Sequence, residues 1–275
     1  NQRDRGLRIV KQNFADLKEE GLVTDANIEA AMKLLQPTFD YADLADCDFI
    51  FETVFEDIDT KKGVYEKIER AARPDAIIAS TTSSLTAETL IAHVKKKDRF
   101  VVAHPFQPTH LQPLVELAGG PETSQDTLLK AKSILEKMKR AVVVLERELP
   151  GFIGNRLAQA LFRESIYMIE RGAASAADID LAMKYVVGLR YGSVGLLEYY
   201  DFVGFELERD IALNVYPTLC NATDVQETVR KGLRDGYTGL SAGKGIYDWT
   251  EKDADDFRVR RNKPFLDIFD WSLPS

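Results

Sequence analysis

The stretch "FVVAHPFQPTHLQPLVEL" (residues 100–117) decides how this chain is read. Phe100, Val101, Val102 and Ala103 form a short apolar run of the kind a buried strand makes. His104 ends the run, and Pro105, Pro108 and Pro113 break up the segment after it. A second apolar run then carries a single carboxylate, Leu114-Val115-Glu116-Leu117. The pattern predicts a strand, a proline-stiffened return and another strand, with His104 and Glu116 able to meet. Spacing alone also fits a plainer and commoner arrangement, a histidine exposed at a strand end and a glutamate facing solvent from an edge strand.

Outward from this hairpin the chain alternates. Upstream, residues 1–22 read as an amphipathic helix on Leu7, Ile9, Val10, Phe14 and Leu17. Residues 26–33 read as a shorter helix opened by Asp25 or Asn27, and LLQPTF as an edge strand with a proline in it. DFIFETV (48–54) predicts a buried strand, TKKGVYEKIERAA (60–72) a helix, AIIAS (76–80) a strand and SSLTAETLIAHV a helix. Downstream, SQDTLLKAKSILEKMK predicts a helix and RAVVVLE (140–146) a last strand. Such alternation predicts an α/β sheet that is mostly parallel. From Pro150 the pattern turns helical: GFIGNRLAQALFRESIYMIERG closes on Gly172, and SAADIDLAMKYVVGL comes next with Ser175 as N-cap and Asp178 in the capping-box position. The domain boundary is placed between Glu148 and Gly151.

Composition narrows the function classes. The 275 residues are 45% hydrophobic and 29% charged, ordinary for a globular protein long enough for two domains. A net charge of −8 argues against nucleic-acid binding. No apolar run approaches membrane-spanning length, and no signal segment opens the chain. Two distant cysteines, Cys47 and Cys220, make no disulfide framework and suit a reducing cytoplasm. His93 and His110 have no metal-ligand spacing, so no metal site is expected. TGLSAGKGIYDW (238–249) has no strand before it and reads as a turn rather than a phosphate loop.

If His104 and Glu116 meet, the carboxylate fixes the imidazole tautomer and favours the protonated ring, making a general base. Ser83 and Ser84 come after a strand and open a helix, where hydroxyls usually cap and backbone amides can also bind anions. Asn155 falls in the first turn of a helix, an unfavoured place for it. It either satisfies a local backbone group or reaches into a cleft between domains.

As an ordered set, ASTTSSL, HPFQPTHLQPLVE, PGFIGNRL, IERGAASAADIDLAM and GKGIYDW, with FETVFEDIDTKK upstream, resemble the L-3-hydroxyacyl-CoA dehydrogenase family over nearly the whole chain. HPFQPTHLQPLVE and GLRYG look closer to its gulonate and carnitine dehydrogenase branch, which acts on free 3-hydroxy acids. The resemblance implies a Rossmann-like α/β domain over residues 1–149, incomplete at its N-terminus, and an all-α substrate and dimerisation domain over 150–275. It implies NAD-dependent oxidation of an L-3-hydroxyacyl-CoA or related 3-hydroxy acid, NADP remaining open. His104 would be the general base and Glu116 its orienting carboxylate, with Ser83 and Asn155 donating hydrogen bonds around the reacting carbinol. Glu56, Lys61, Ser83 and Gln107 fall at cofactor positions. Thr81 stands where the family has Asn, and Gln107 where it has Asn, with a longer arm. Arg190, in GLRYG, is a candidate clamp for a free carboxylate, or equally a helix-end or surface arginine.

The resemblance begins beyond the family's first β-α-β unit with its G-x-G-x-x-G turn, a unit of roughly 40 residues. The expectation is that the chain is a fragment of a longer protein and alone binds no cofactor. The other readings are a non-catalytic dimerising protein of the same fold and a hydrolase using Ser83 with His104. The latter lacks the G-x-S-x-G elbow.

Overall fold

In the computed structural model, which describes residues 2–267, five strands form one sheet in the order β1-β2-β3-β4-β5. They are β1 Phe49–Glu52, β2 Ile77–Ser80, β3 Phe100–Pro105, β4 Leu114–Gly119 and β5 Ala141–Val144. Neighbours run parallel except β3 and β4, which are antiparallel, with His104 directly opposite Glu116. The sheet is therefore mixed. The prolines of residues 105–113 turn the chain back on itself, where a parallel connection would need a long crossover.

Helices α1 Gln2–Glu19, α2 Asp25–Leu34, α3 Ile58–Ala71, α4 Ala87–Ile91 and α5 Gln125–Lys137 accompany the sheet. Alternate β3 residues face opposite ways, as a strand's period of two requires. Phe100 and Val102 pack with Tyr65 and Ile68 of α3 and with Leu90 and Ile91 of α4. Val101 and Ala103 pack with Ala131 and Leu135 of α5. Burying a Phe, Val or Leu side chain contributes about 1.5–3 kcal/mol, so this double cover is why β3 reads as an unbroken apolar run. Tyr65 and Phe100 meet edge to face at 5.4 Å.

Several local expectations change. LLQPTF is not a strand: α2 runs through Leu34, and 35–38 has no sheet partner. Pro37 removes one ladder donor and Leu34 points into solvent. Thr24, not Asp25 or Asn27, caps α2, in a capping box with Asn27. β1 is the end strand of the five described, with Ile50 and Glu52 buried and Phe51 exposed. Ser83 and Ser84 open no helix; α4 begins at Ala87 with Thr86 as its N-cap. Glu148 reaches the same helix start, accepting from the Ala87 amide at 2.6 Å.

Contacts divide the chain into two compact units, the first made of the residues up to Ile153 together with residues 265–267 and the second running Gly154–Pro264. In the second, α6 Gly154–Glu170 ends on Gly172 at φ 66, with Ala173 N–H returning to Met168 O. α7 Ala176–Ala182 starts on Ser175, whose hydroxyl accepts from the Asp178 amide. A π-helical turn, Met183–Gly188, interrupts the second predicted helix before α8 Leu189–Ser193. α9 Leu196–Val203, α10 Phe205–Val215 and α11 Glu227–Arg234 come next. After β5, the described residues form only isolated bridges at Gly239–Lys244 and Lys244–Asp248, within the turn read at TGLSAGKGIYDW (238–249).

Candidate active site

His104 stands near the end of β3, 5% exposed, with Nδ1 2.9 Å from Glu116 Oε2. An ionised carboxylate only accepts, so this contact places the ring proton on Nδ1 and leaves the Nε2 lone pair to take a proton. Glu116 is 1% exposed, and its Oε1 accepts from the backbone amide of Ile153 at 2.8 Å. That amide is delivered by a tight turn with Gly151 at φ 81 and Phe152 at φ 49. A phenylalanine in the left-handed region is strained, and the buried Phe152 ring is held by the core. Phe152 and Phe106 flank the imidazole, with ring centroids 5.4 and 4.7 Å away.

A second polar cluster lies at the carboxyl ends of β1 and β2, where open α/β sheets bind ligands. Its centre is Glu52, which lies in FETVFEDIDTKK but had no role assigned to it from the sequence. Glu52 is 2% exposed and accepts from Lys61 Nζ at 2.9 and 3.1 Å, from Tyr65 OH at 2.8 Å, from Ser80 Oγ at 2.7 Å and from the Val54 amide at 2.8 Å. Burial, with the Glu52 carboxylate beside it, drives the Tyr65 phenol far above its ordinary range. An acid inside a run of strand residues, with a lysine nine positions on, was the signal in that motif, and it needs the fold to mean anything.

Lys61 is 1% exposed, and its ammonium also lies 3.5 Å from Glu56 Oε2. The cofactor contact that the resemblance implies for Lys61 finds this group withdrawn from solvent between two carboxylates. Glu56 Oε1 gathers the Ser83 and Ser84 amides, each at 3.2 Å, the Ser84 hydroxyl at 2.9 Å and the Thr82 hydroxyl. Burial pushes the Glu56 carboxyl up, but hydrogen bonds from Thr82 and Ser84 and the Lys61 charge outweigh it and bring it down to about 2. The anion-binding amides expected at Ser83 and Ser84 are thus engaged by the chain's own carboxylate. Ser83 itself is exposed, and no hydrogen bond from its hydroxyl is found among the described residues.

Gln107 is exposed in the β3–β4 loop, joined to Pro108 by a cis peptide bond. In the helical unit, Asn155 is half-buried in the first turn of α6. Arg190 is exposed in α8 and lies over the Tyr199 ring at 4.5 Å. Among the described residues no group of three or more His, Cys, Asp or Glu could hold a metal ion, and no helix is long and apolar enough to cross a membrane. Cys47 and Cys220 are unpaired thiols.

Residues 1–149 match the model of the 3-hydroxyacyl-CoA dehydrogenase NAD binding domain, and residues 151–249 that of the C-terminal domain of the same family. The chain is 39% identical over 218 residues to an L-carnitine dehydrogenase of a Pseudomonas species, covering 77% of this chain and 68% of that protein. It is 39% identical over 197 residues to the L-carnitine dehydrogenase of Burkholderia mallei, covering 72% and 60%. The chain spans between 32% and 60% of the length of the first such relatives. Its fold superposes on the (S)-3-hydroxybutyryl-CoA dehydrogenase of Ralstonia eutropha with a TM-score of 0.73 at 26% identity, covering 90% of this chain and 86% of that one.

Proposed function

This chain belongs to the 3-hydroxyacyl-CoA dehydrogenase family, and on that premise we propose that it serves NAD-dependent oxidation of a 3-hydroxy acid to the 3-oxo acid, with the substrate carried as the free acid. The buried His104–Glu116 pair carries the reading, because it makes a base of fixed tautomer. Free-acid substrates are favoured by the carnitine dehydrogenase relatives, and a thioester substrate is the second reading, favoured by the hydroxybutyryl-CoA dehydrogenase likeness.

His104 Nε2 takes the substrate hydroxyl proton, and Glu116 stabilises the imidazolium that results. The Ser83 hydroxyl and the Asn155 amide donate to the oxygen on which charge develops in the reverse direction. NAD, when bound, would be the acceptor for the hydride leaving carbon 3. The donor set fits such a cofactor: the exposed Ser83 hydroxyl and Gln107 amide and the part-exposed Glu56 carboxylate are groups that pair with a carboxamide-bearing ring. Arg190, stacked on Tyr199, holds the substrate carboxylate.

The helical unit serves as a homodimer interface in the cytoplasm. Support comes from its exposed Leu197, Phe202, Phe205 and Leu213 and from an apolar cleft of about 710 Å³ lined by Phe162, Leu233, Tyr237, Ile246, Tyr247 and Trp249. The deciding experiment is a turnover panel with NAD on the full-length protein, setting free 3-hydroxy acids against 3-hydroxyacyl thioesters. Reduction of NAD by neither class sinks the proposal, and reduction by thioesters alone overturns the free-acid form.

A further inference from the structure

The densest knot of buried polar groups in the first unit lies away from His104. Glu52 ends β1, and its backbone carbonyl accepts from the Thr81 amide at 2.9 Å and the Thr81 hydroxyl at 3.2 Å, just beyond the end of β2. Its carboxylate holds Lys61, Lys61 stands against Glu56, and Glu56 holds the turn at Thr82, Ser83 and Ser84. Glu52 itself touches neither Ser83 nor Ser84 in any hydrogen bond or ion pair found. A buried charge therefore connects, through one ammonium and one carboxylate, to the turn that carries an exposed, unengaged hydroxyl.

We propose that Glu52 is a positioning residue, which sets the Ser83–Ser84 turn through Lys61 and Glu56. The count of donors and acceptors supports this. Lys61 is buried, so its charge needs compensation from fixed acceptors. Glu52 supplies both oxygens to it and still accepts from Tyr65, Ser80 and Val54. This pins the ammonium between β1 and α3, at a distance where it attracts Glu56 without drawing it off the turn. Replacing Glu52 by glutamine puts an NH₂ where donors already converge and removes the counter-charge. Lys61 then draws Glu56 towards itself, and the Thr82–Ser84 donors lose their shared acceptor. The consequence for catalysis rests on the dehydrogenase reading above, since Ser83 matters there as a donor to the reacting oxygen.

The test is Glu52→Gln in the full-length protein, read by amide hydrogen exchange at Ser83 and Ser84 and by NAD-dependent turnover. Exchange at these two amides is expected to rise about tenfold, the scale of one lost hydrogen bond to a charged group, although neither amide touches Glu52. Glu56→Gln should do the same, and the double variant should be no worse than Glu56→Gln alone, because the two residues act along one path. The fall in kcat should follow the exchange effect across the set. Unchanged Ser83 and Ser84 exchange with a lower Tm would make Glu52 a stabilising residue only and overturn the proposal, as would effects that multiply in the double variant. Should Glu52→Gln not fold, Glu52→Asp keeps the counter-charge but shortens the arm that pins the ammonium; faster exchange at the two serines supports the proposal and wild-type exchange overturns it. A wild-type protein that fails to turn over with NAD would sink the dehydrogenase reading while exchange still decides the role of Glu52.

Discussion

The backbone amide of Ile153 donates a 2.8 Å hydrogen bond to Glu116 Oε1, the oxygen opposite the one that meets His104. The carboxylate that orients the imidazole is thus itself oriented by the turn leading into α6. Glu116→Gln keeps the shape but offers His104 either an amide oxygen without charge or an NH₂ that selects the other tautomer. Turnover is expected to fall by up to about 10⁴-fold, the scale seen when a triad carboxylate becomes its amide. A variant with wild-type kcat would separate Glu116 from the chemistry.

His104→Gln removes the base while leaving the β1–β2 polar cluster untouched. General base catalysis is worth about 10²–10⁴-fold, so kcat should fall by that order while the affinity for NAD stays close to wild type. Steady-state kinetics with equilibrium NAD titration reads both; a parallel loss of NAD binding would point to misfolding instead.

Gly151 sits at φ 81, where a β-carbon is costly. Gly151→Ala is expected to lower unfolding free energy by about 1–2 kcal/mol. It should also reduce kcat, because the displaced Ile153 amide no longer fixes Glu116. Urea denaturation beside initial rates checks the pair of effects, and a stability loss with intact kcat would uncouple the turn from the dyad.

Glu56 titrates at about 2 against 4.5 for an unperturbed glutamate. Its charged form is therefore favoured by folding. The stabilisation is complete above pH 4.5 and is lost as the pH falls from 4.5 towards 2. The group is partly exposed, and solvent screening holds the contribution to about 1 kcal/mol, or roughly 2–4 °C in Tm. Glu56→Gln should melt lower than wild type at pH 7 and converge with it near pH 2. Parallel Tm curves across that range would show that the turn does not rely on the charge.

Arg190 lies over the Tyr199 ring, exposed, on the helical unit. Arg190→Leu keeps the helix but removes the guanidinium. The expected result is a KM for free 3-hydroxy acids raised about tenfold or more, the worth of a charge-assisted hydrogen bond, with thioester kinetics unchanged. Equal effects on both classes would return Arg190 to a surface role.

By itself the sequence determined what depends on near neighbours. Runs such as Phe100–Ala103 and Ile77–Ala79, and the helical periodicity of 60–72 and 151–172, specify strand or helix through the burial of one face or two, and the structure has strands and helices there, with α6 starting at Gly154. The histidine, the carboxylate and the turn serines were visible as residue types in a telling order. Tertiary structure decided what depends on residues distant in the chain. It made the β3–β4 pairing antiparallel, which sets His104 opposite Glu116. It left LLQPTF unpaired, because a strand exists only where a neighbour offers a ladder. It also gave the Ser83 and Ser84 amides to Glu56 and gathered Lys61, Tyr65 and Ser80 around Glu52. Local pattern records whether a residue prefers to be buried, but the partner of a buried charge is chosen by the three-dimensional neighbours that must replace its lost water.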